Sequence, residues 1–166
     1  MFIEVKTFQQ IKIVARLAKE IWMEHYAPIV GEEQTVYMLE KFQSAYAVAH
    51  QIRSENYIYF LINYEDQPSG YFAVHPREED LFVSRFYVKR PLHDNGRCRS
   101  AIHFTEQLAS KMGKSTVTLT AHKHHSDSIA AYSRYGFCIV DAIESDIGNG
   151  FMMNHYVLSK PCNGPG

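Results

Sequence analysis

Three groups of residues in this 166-residue chain have types and spacings suited to chemistry. The first lies between Leu81 and Met112, where an apolar run, LFVSRFYV, breaks at Pro91 into the polar turn HDNG and resumes as RCRSAIHFTEQLASKM. A strand-to-helix junction of this kind aims unpaired N–H groups and the positive end of a helix dipole at one place, which makes it an anion seat. Arg97 and Arg99 stand in the first helical turn, where a cation opposes the dipole by ~0.3–1 kcal/mol each. A bound polyphosphate would reverse that sign; two arginines simply pointing into water are the plainer alternative. The second group is Tyr132, four residues before Gly136-Phe137 in another strand-to-helix step, TVTLTA then HSDSIAAYSRYGF. A phosphate cradle with a placed phenol suits group transfer from a nucleotide-like donor, although Ile129, Tyr132 and Gly136 also share a helical stripe that would pack on a sheet. The third is His122-Lys123-His124-His125. Imidazoles are common zinc and copper ligands, and on an extended segment His122 and His124 would share one side. The interposed Lys123 and the lack of a Cys or carboxylate at ligand spacing argue against a built site, so no metal is expected.

These residues require a frame. FIEVK (2 to 6) reads as a first strand, and Thr7 with Gln10 forms a capping box for a helix whose Ile11, Val14, Ala18, Ile21 and Trp22 recur on one face. Pro28-Ile29-Val30-Gly31 closes it. EEQTVYMLEKF is a second helical stretch and residues 45 to 53 a third. YIYFLIN (57 to 63) and GYFAVHP (70 to 76) read as a hairpin across the turn residues YEDQPS. A strand ending at Val88, a helix from about 96 to 112, a strand from 115 to 121, a helix from 126 to 135, and the strands FCIVDAI and FMMNHYVLS complete the chain. The predicted class is α/β: a mixed, mostly antiparallel sheet of about seven strands in the order β-α-α-β-β-β-α-β-α-β-β, with a central βαβ crossover and helices on both faces.

Composition narrows the partners. Seventeen Lys and Arg against eighteen Asp and Glu give a net charge of −1, so no global field recruits nucleic acid or an acidic membrane. No apolar run approaches the roughly 20 residues that span a bilayer, and MFIEVKTF lacks the pattern of a signal peptide, so a cytoplasmic location is expected. Three cysteines, Cys98, Cys138 and Cys162, show no CxxC spacing and are expected to be free thiols. One domain is expected over 1–160, with a flexible tail over 161–166. The last strand is apolar enough to pair across a homodimer or to serve as an internal edge.

The element order and the two helix junctions resemble the GNAT superfamily of acyl-CoA N-acyltransferases, from Phe2 to Lys160. One family signature is a strand ending in hydrophobic-Tyr-Val followed by a glycine-bearing loop and helix; Phe86-Tyr87-Val88 and His93-Asp94-Asn95-Gly96 supply it. The other, Ala-x3-Tyr-x3-Gly-Phe or a near variant after an Asn, is met by Ile129-Ala130-Ala131-Tyr132 and Gly136-Phe137. His93 stands where Arg or Gln is usual, Cys98 where Gly or Ala is usual, and His125 where the pattern has Asn.

The resemblance implies acetyl-CoA as co-substrate, its diphosphate on the amides of His93, Asp94, Asn95 and Gly96 and on the helix start formed by Arg97, Cys98, Arg99 and Ser100. Main-chain groups of Phe86, Tyr87 and Val88 would lie along the pantetheine arm, the Val88 N–H polarising the thioester carbonyl. Tyr132 would protonate the departing thiolate. The unperturbed phenol pKa is near 10 and that of a thiol near 8.5, so that transfer needs close approach. An amine acceptor must lose a proton before attack, and Ser84 through a water, His122 and His155 are the candidate bases. His122 and His125 would line the channel, with His124 in solvent. Trp22, His25, Tyr26, Tyr71 and His155, with Met23, Glu24 and Asn154, would form an acceptor pocket for a small-molecule or peptide amine; Trp22 and Tyr26 at i, i+4 spacing could equally be core. Rival readings are a non-catalytic acyl-CoA sensor, suggested by the three signature departures, and a structural partner-binding domain.

Overall fold

The computed structural model describes residues 2–84, 86–89 and 97–162, with Arg97 and Cys98 given by backbone alone. In chain order the elements are β1 (Phe2–Glu4), α1 (Phe8–His25), α2 (Ala27–Val30), α3 (Glu32–Gln43), α4 (Ala45–Ser54), β2 (Ile58–Tyr64), β3 (Gln67–Pro76), β4 (Asp80–Val83), β5 (Tyr87–Val88), α5 (Arg97–Lys111), β6 (Thr116–His122), α6 (Ser126–Arg134), β7 (Cys138–Gly148) and β8 (Phe151–Pro161). They fall into two compact units, residues 1–75 with 86–101 and residues 76–85 with 102–166.

In the first unit β1, β2 and β3 form an antiparallel ladder, with Phe2 opposite Ile62 and Phe60 opposite Phe72, and β5 adds to β3. The α1 cap is the anticipated box: the Thr7 hydroxyl accepts from the Gln10 amide at 3.2 Å while the Gln10 side chain accepts from the Thr7 amide at 2.9 Å. All five apolar positions expected on its inner face are buried. Each such large side chain contributes about 1.5–3 kcal/mol relative to exposure. Residues 28–30, read as a helix stop, form the short helix α2 before Gly31.

The β2–β3 hairpin turns on Glu65 and Asp66, both at positive φ (52° and 62°), the geometry that matches strand twist in a two-residue loop. Pro68 and Ser69, read as turn residues, belong instead to β3. Pro68 sits beside the bulge at Ile62/Asn63, where register shifts and a missing N–H is tolerated, and the Ser69 hydroxyl donates to the Ile62 carbonyl at 3.0 Å.

In the second unit β4 runs parallel to β6, with Leu81 opposite Val117, as the βαβ reading requires, and β8 pairs antiparallel with β6 and β7. The last two strands are longer than the apolar pattern suggested and meet at Asn149-Gly150, both at positive φ. The apolar pattern stops early because β7 is exposed along most of its length and carries Asp141, Glu144 and Asp146. β8 runs on to Pro161, and the Cys162 amide donates to the Ser115 carbonyl at 2.8 Å. The Cys138 and Cys162 thiols are free; burial pushes that of Cys162 above its ordinary pKa.

Among the described residues the pairings within the units are five antiparallel and one parallel, so the mixed, mostly antiparallel α/β class holds. Eight strands among the described residues replace about seven because LFVSRFYV is two strands. Its first half pairs with β6 and its second with β3, and a single straight strand cannot serve both ladders in these registers.

Candidate active site

β5 positions the main chain. Gly70 lies opposite Val88 and Tyr71 opposite Tyr87, and the Lys89 amide donates to the Ser69 carbonyl at 2.9 Å. In an antiparallel ladder hydrogen-bonded and non-bonded pairs alternate, so Ser69/Lys89 is bonded and Gly70/Val88 is not. The Val88 N–H and carbonyl are thereby turned away from β3. Close strand approach depends on Gly70, where an added Cβ would collide with the Tyr87 carbonyl. Phe86 is buried with its ring 5.2 Å from that of Phe72.

The first unit also gathers Trp22, His25 and Tyr26 from the end of α1 with Tyr71 and Tyr87. Ring centroids are 5.1 Å apart for Trp22 and Tyr26, 4.7 Å for His25 and Tyr26, 5.4 Å for Trp22 and Tyr87, and 5.1 Å for Tyr71 and Tyr87. The Tyr26 and Tyr87 hydroxyls lie 3.4 Å apart. Apart from His25 these rings are buried, and the helical i, i+4 pair packs as a core contact. Beneath them runs a polar chain that sequence reading missed. The Tyr71 hydroxyl donates to Gln43 Oε1 at 2.5 Å, Gln43 Nε2 donates to the Tyr59 hydroxyl at 3.0 Å, and that hydroxyl donates to Gln51 Oε1 at 2.5 Å. Burial holds both phenols neutral, raising the pKa of Tyr71 and Tyr59 well above the usual tyrosine value. Two glutamines on amphipathic helices carry no sequence signal for this role.

In the second unit the end of β6 and the start of α6 hold the histidines. His122 and His124 do not share one side of an extended segment: the chain turns at 123–124, the His125 amide donating to the His122 carbonyl at 2.9 Å and the His124 amide to His122 Nδ1 at 3.1 Å. His122 is buried and His124 exposed. His125 is the N-cap of α6, its Nδ1 accepting from the Ser128 amide at 3.3 Å. It thus does the capping work that an Asn would do at this position. His155 on β8 lies opposite His122, half-buried, with its pKa held below the ordinary imidazole value by burial and then by the Lys123 charge.

Tyr132 is 4% exposed on α6, its ring edge-on to Phe137 at 5.8 Å. The helix ends at Arg134 and the chain turns away at Gly136, φ +97°, the Phe137 amide returning to the Tyr132 carbonyl at 3.1 Å. Among the described residues no three His, Cys, Asp or Glu side chains are gathered to hold a metal. No helix of the described residues is long and apolar enough to cross a membrane. His93, Asp94, Asn95 and Gly96 lie outside the described residues, as do the side chains of Arg97 and Cys98. α5 begins at Arg97 as expected; Arg99 and Ser100 are exposed, and its first turn holds no acid.

A family model described as acetyltransferase (GNAT) family matches residues 16–137. No curated protein matches the sequence significantly. Similar solved structures include the PaiA N-acetyltransferase of Thermoplasma acidophilum in complex with coenzyme A, 17% identical over 97% of this chain and 99% of that one, TM-score 0.80. The ribosomal-protein-S18-alanine N-acetyltransferase of Escherichia coli is 14% identical over 100% of this chain and 96% of that one, TM-score 0.69. An aminoglycoside 6'-N-acetyltransferase complexed with coenzyme A is 13% identical over 100% and 99%, TM-score 0.68. At such identities the likeness carries the fold.

Proposed function

Because this chain belongs to the GNAT acetyltransferase family, we propose that it moves an acetyl group from acetyl-CoA directly to a primary amine of a small molecule or peptide. The observation that carries the reading is the Val88 amide, turned away from β3 and so presented as a fixed donor. Preorganised N–H groups at a developing oxyanion are usually the largest catalytic term. Residues of this chain suit acetyl-CoA in two further respects. An exposed Arg99 stands in an acid-free first helical turn, where only an anion makes a cation favourable, and the Tyr132 phenol is held in place by its packing on Phe137.

In this reading the amine attacks the thioester, the Val88 N–H stabilises the oxygen charge, and Tyr132 gives its proton to the thiolate as the C–S bond breaks. His93 to Ser100 bind the diphosphate, and Trp22, Tyr26, Tyr71 and Tyr87 form the aromatic floor on the acceptor side. The His125 departure from the family pattern does not favour a non-catalytic sensor, since the imidazole caps α6.

Acetyl-CoA at 100 times its dissociation constant should stabilise the protein by ~2.7 kcal/mol. A thermal-shift series with acetyl-CoA, paired with thiol release in the presence of spermidine, tyramine and an alanine-terminated peptide, tests the proposal. No shift and no thiol release would overturn it; a shift with no release from a broader set of amines would mark a sensor.

A further inference from the structure

The histidines of the second unit differ in what their main-chain neighbours allow them to do. An Nδ1 atom that accepts a hydrogen bond carries no proton, so a neutral ring must carry its proton on Nε2. His122 Nδ1 accepts from the His124 amide and His125 Nδ1 from the Ser128 amide. Both rings are therefore donors through Nε2, and neither can accept a proton at Nδ1 without breaking a main-chain bond, at His125 the helix cap itself. His155 is placed differently. It faces His122 across the β6–β8 ladder, so the two side chains stand on one face with Cβ atoms roughly 5 Å apart. Its β7 partner is Ile143, which brings no charge, and the charge that acts on it is that of Lys123, whose Nζ lies 5.7 Å over the neighbouring Tyr156 ring.

We propose that His155 is the general base that takes the proton from the acceptor's ammonium group, with His122 beside it fixed as a hydrogen-bond donor. This rests on the acetyltransfer reading above. The protons balance as follows. The ammonium loses one proton to His155, which releases it to water; the free amine forms the C–N bond and the C–S bond breaks. Tyr132 protonates the thiolate and is restored by the second proton leaving the nitrogen. Partial burial and then the Lys123 charge both favour the neutral ring, the form that can accept a proton. An alkylammonium, pKa near 10.4, gives its proton to imidazole uphill, and at low pH an imidazole that is already protonated cannot take it at all.

The test has two arms. Imidazole 15N spectra of the whole protein should show His122 and His125 as Nε2–H tautomers and His155 titrating below an ordinary histidine. With whichever of spermidine, tyramine or alanine-terminated peptide is acetylated, H155Q should lower kcat/KM about tenfold or more at neutral pH. It should also move the acid limb of the pH profile upward, toward the amine's own ionisation, and leave the acetyl-CoA thermal shift unchanged. An Nδ1–H signal at His122, or an H155Q profile identical to wild type, would overturn the base assignment with the acetyltransfer reading intact. Absence of turnover with every amine, the tautomers being as expected, would remove both.

Discussion

Deleting one oxygen tests Tyr132. If its phenol is the proton donor, Tyr132→Phe should lower kcat at least tenfold while the ring keeps its contact with Phe137, so the acetyl-CoA thermal shift and the melting temperature should barely move. A fall in kcat matched by loss of stability would instead make Tyr132 a packing residue. His125 offers the opposite pairing. His125→Ala removes an N-cap acceptor and should cost about 0.5–2 kcal/mol in a denaturant titration, whereas His125→Asn restores an acceptor and should recover most of it. Gln43 has no chemistry in the reading, yet Gln43→Leu takes away the acceptor of the buried Tyr71 hydroxyl, at about 1–3 kcal/mol, while the Tyr59 hydroxyl keeps its bond to Gln51. Equilibrium unfolding would register that loss.

Among the elements, β5 is two residues long and depends on its neighbour. Gly70→Ala drives a methyl into the Tyr87 carbonyl, so β5 should detach from β3; amide exchange at Tyr87 and Lys89 should accelerate, and turnover should fall even though residue 70 touches no substrate in the proposed scheme. The turn before β4 supplies a pH handle. Arg77 Nε donates to Asp80 Oδ1 at 2.7 Å and Nη2 to Oδ2 at 2.5 Å, and these bonds hold the Asp80 pKa below the ordinary carboxylate value. A depressed carboxylate pKa contributes stability that is present above the unfolded value, near 3.9, and lost as pH falls through the folded value. Urea midpoints of wild type and Arg77→Gln should thus differ at neutral pH and converge under acid. An exposed pair of this kind contributes up to about 1 kcal/mol, so the gap will be small.

For the whole molecule, sequence periodicity carried what local pattern encodes. The Thr7/Gln10 box, the buried face of α1, the parallel β4–β6 pairing and the α6 start at Ser126 could all be read from residue order. What escaped it was set by partners distant in sequence. The break within LFVSRFYV follows from β4 and β5 joining different ladders, and no residue between Val83 and Tyr87 is a Gly or Pro that would announce it. The extension of β7 escaped because an exposed edge accepts acids, and the Gln43 chain because a glutamine looks the same in solvent and in a core. The histidine cluster, read as extended, is a turn whose amides choose the tautomers.

A donor supplied by the peptide bond of Val88 is indifferent to the side chain mounted there. Nearly every codon change at that position leaves it in place, and proline alone removes it outright. Lineages can therefore drift far apart in this strand while keeping the same amide in the same spot. Replacing that one amide with an ester by chemical ligation would delete the hydrogen and keep the valine, a lesion that natural substitution cannot reproduce.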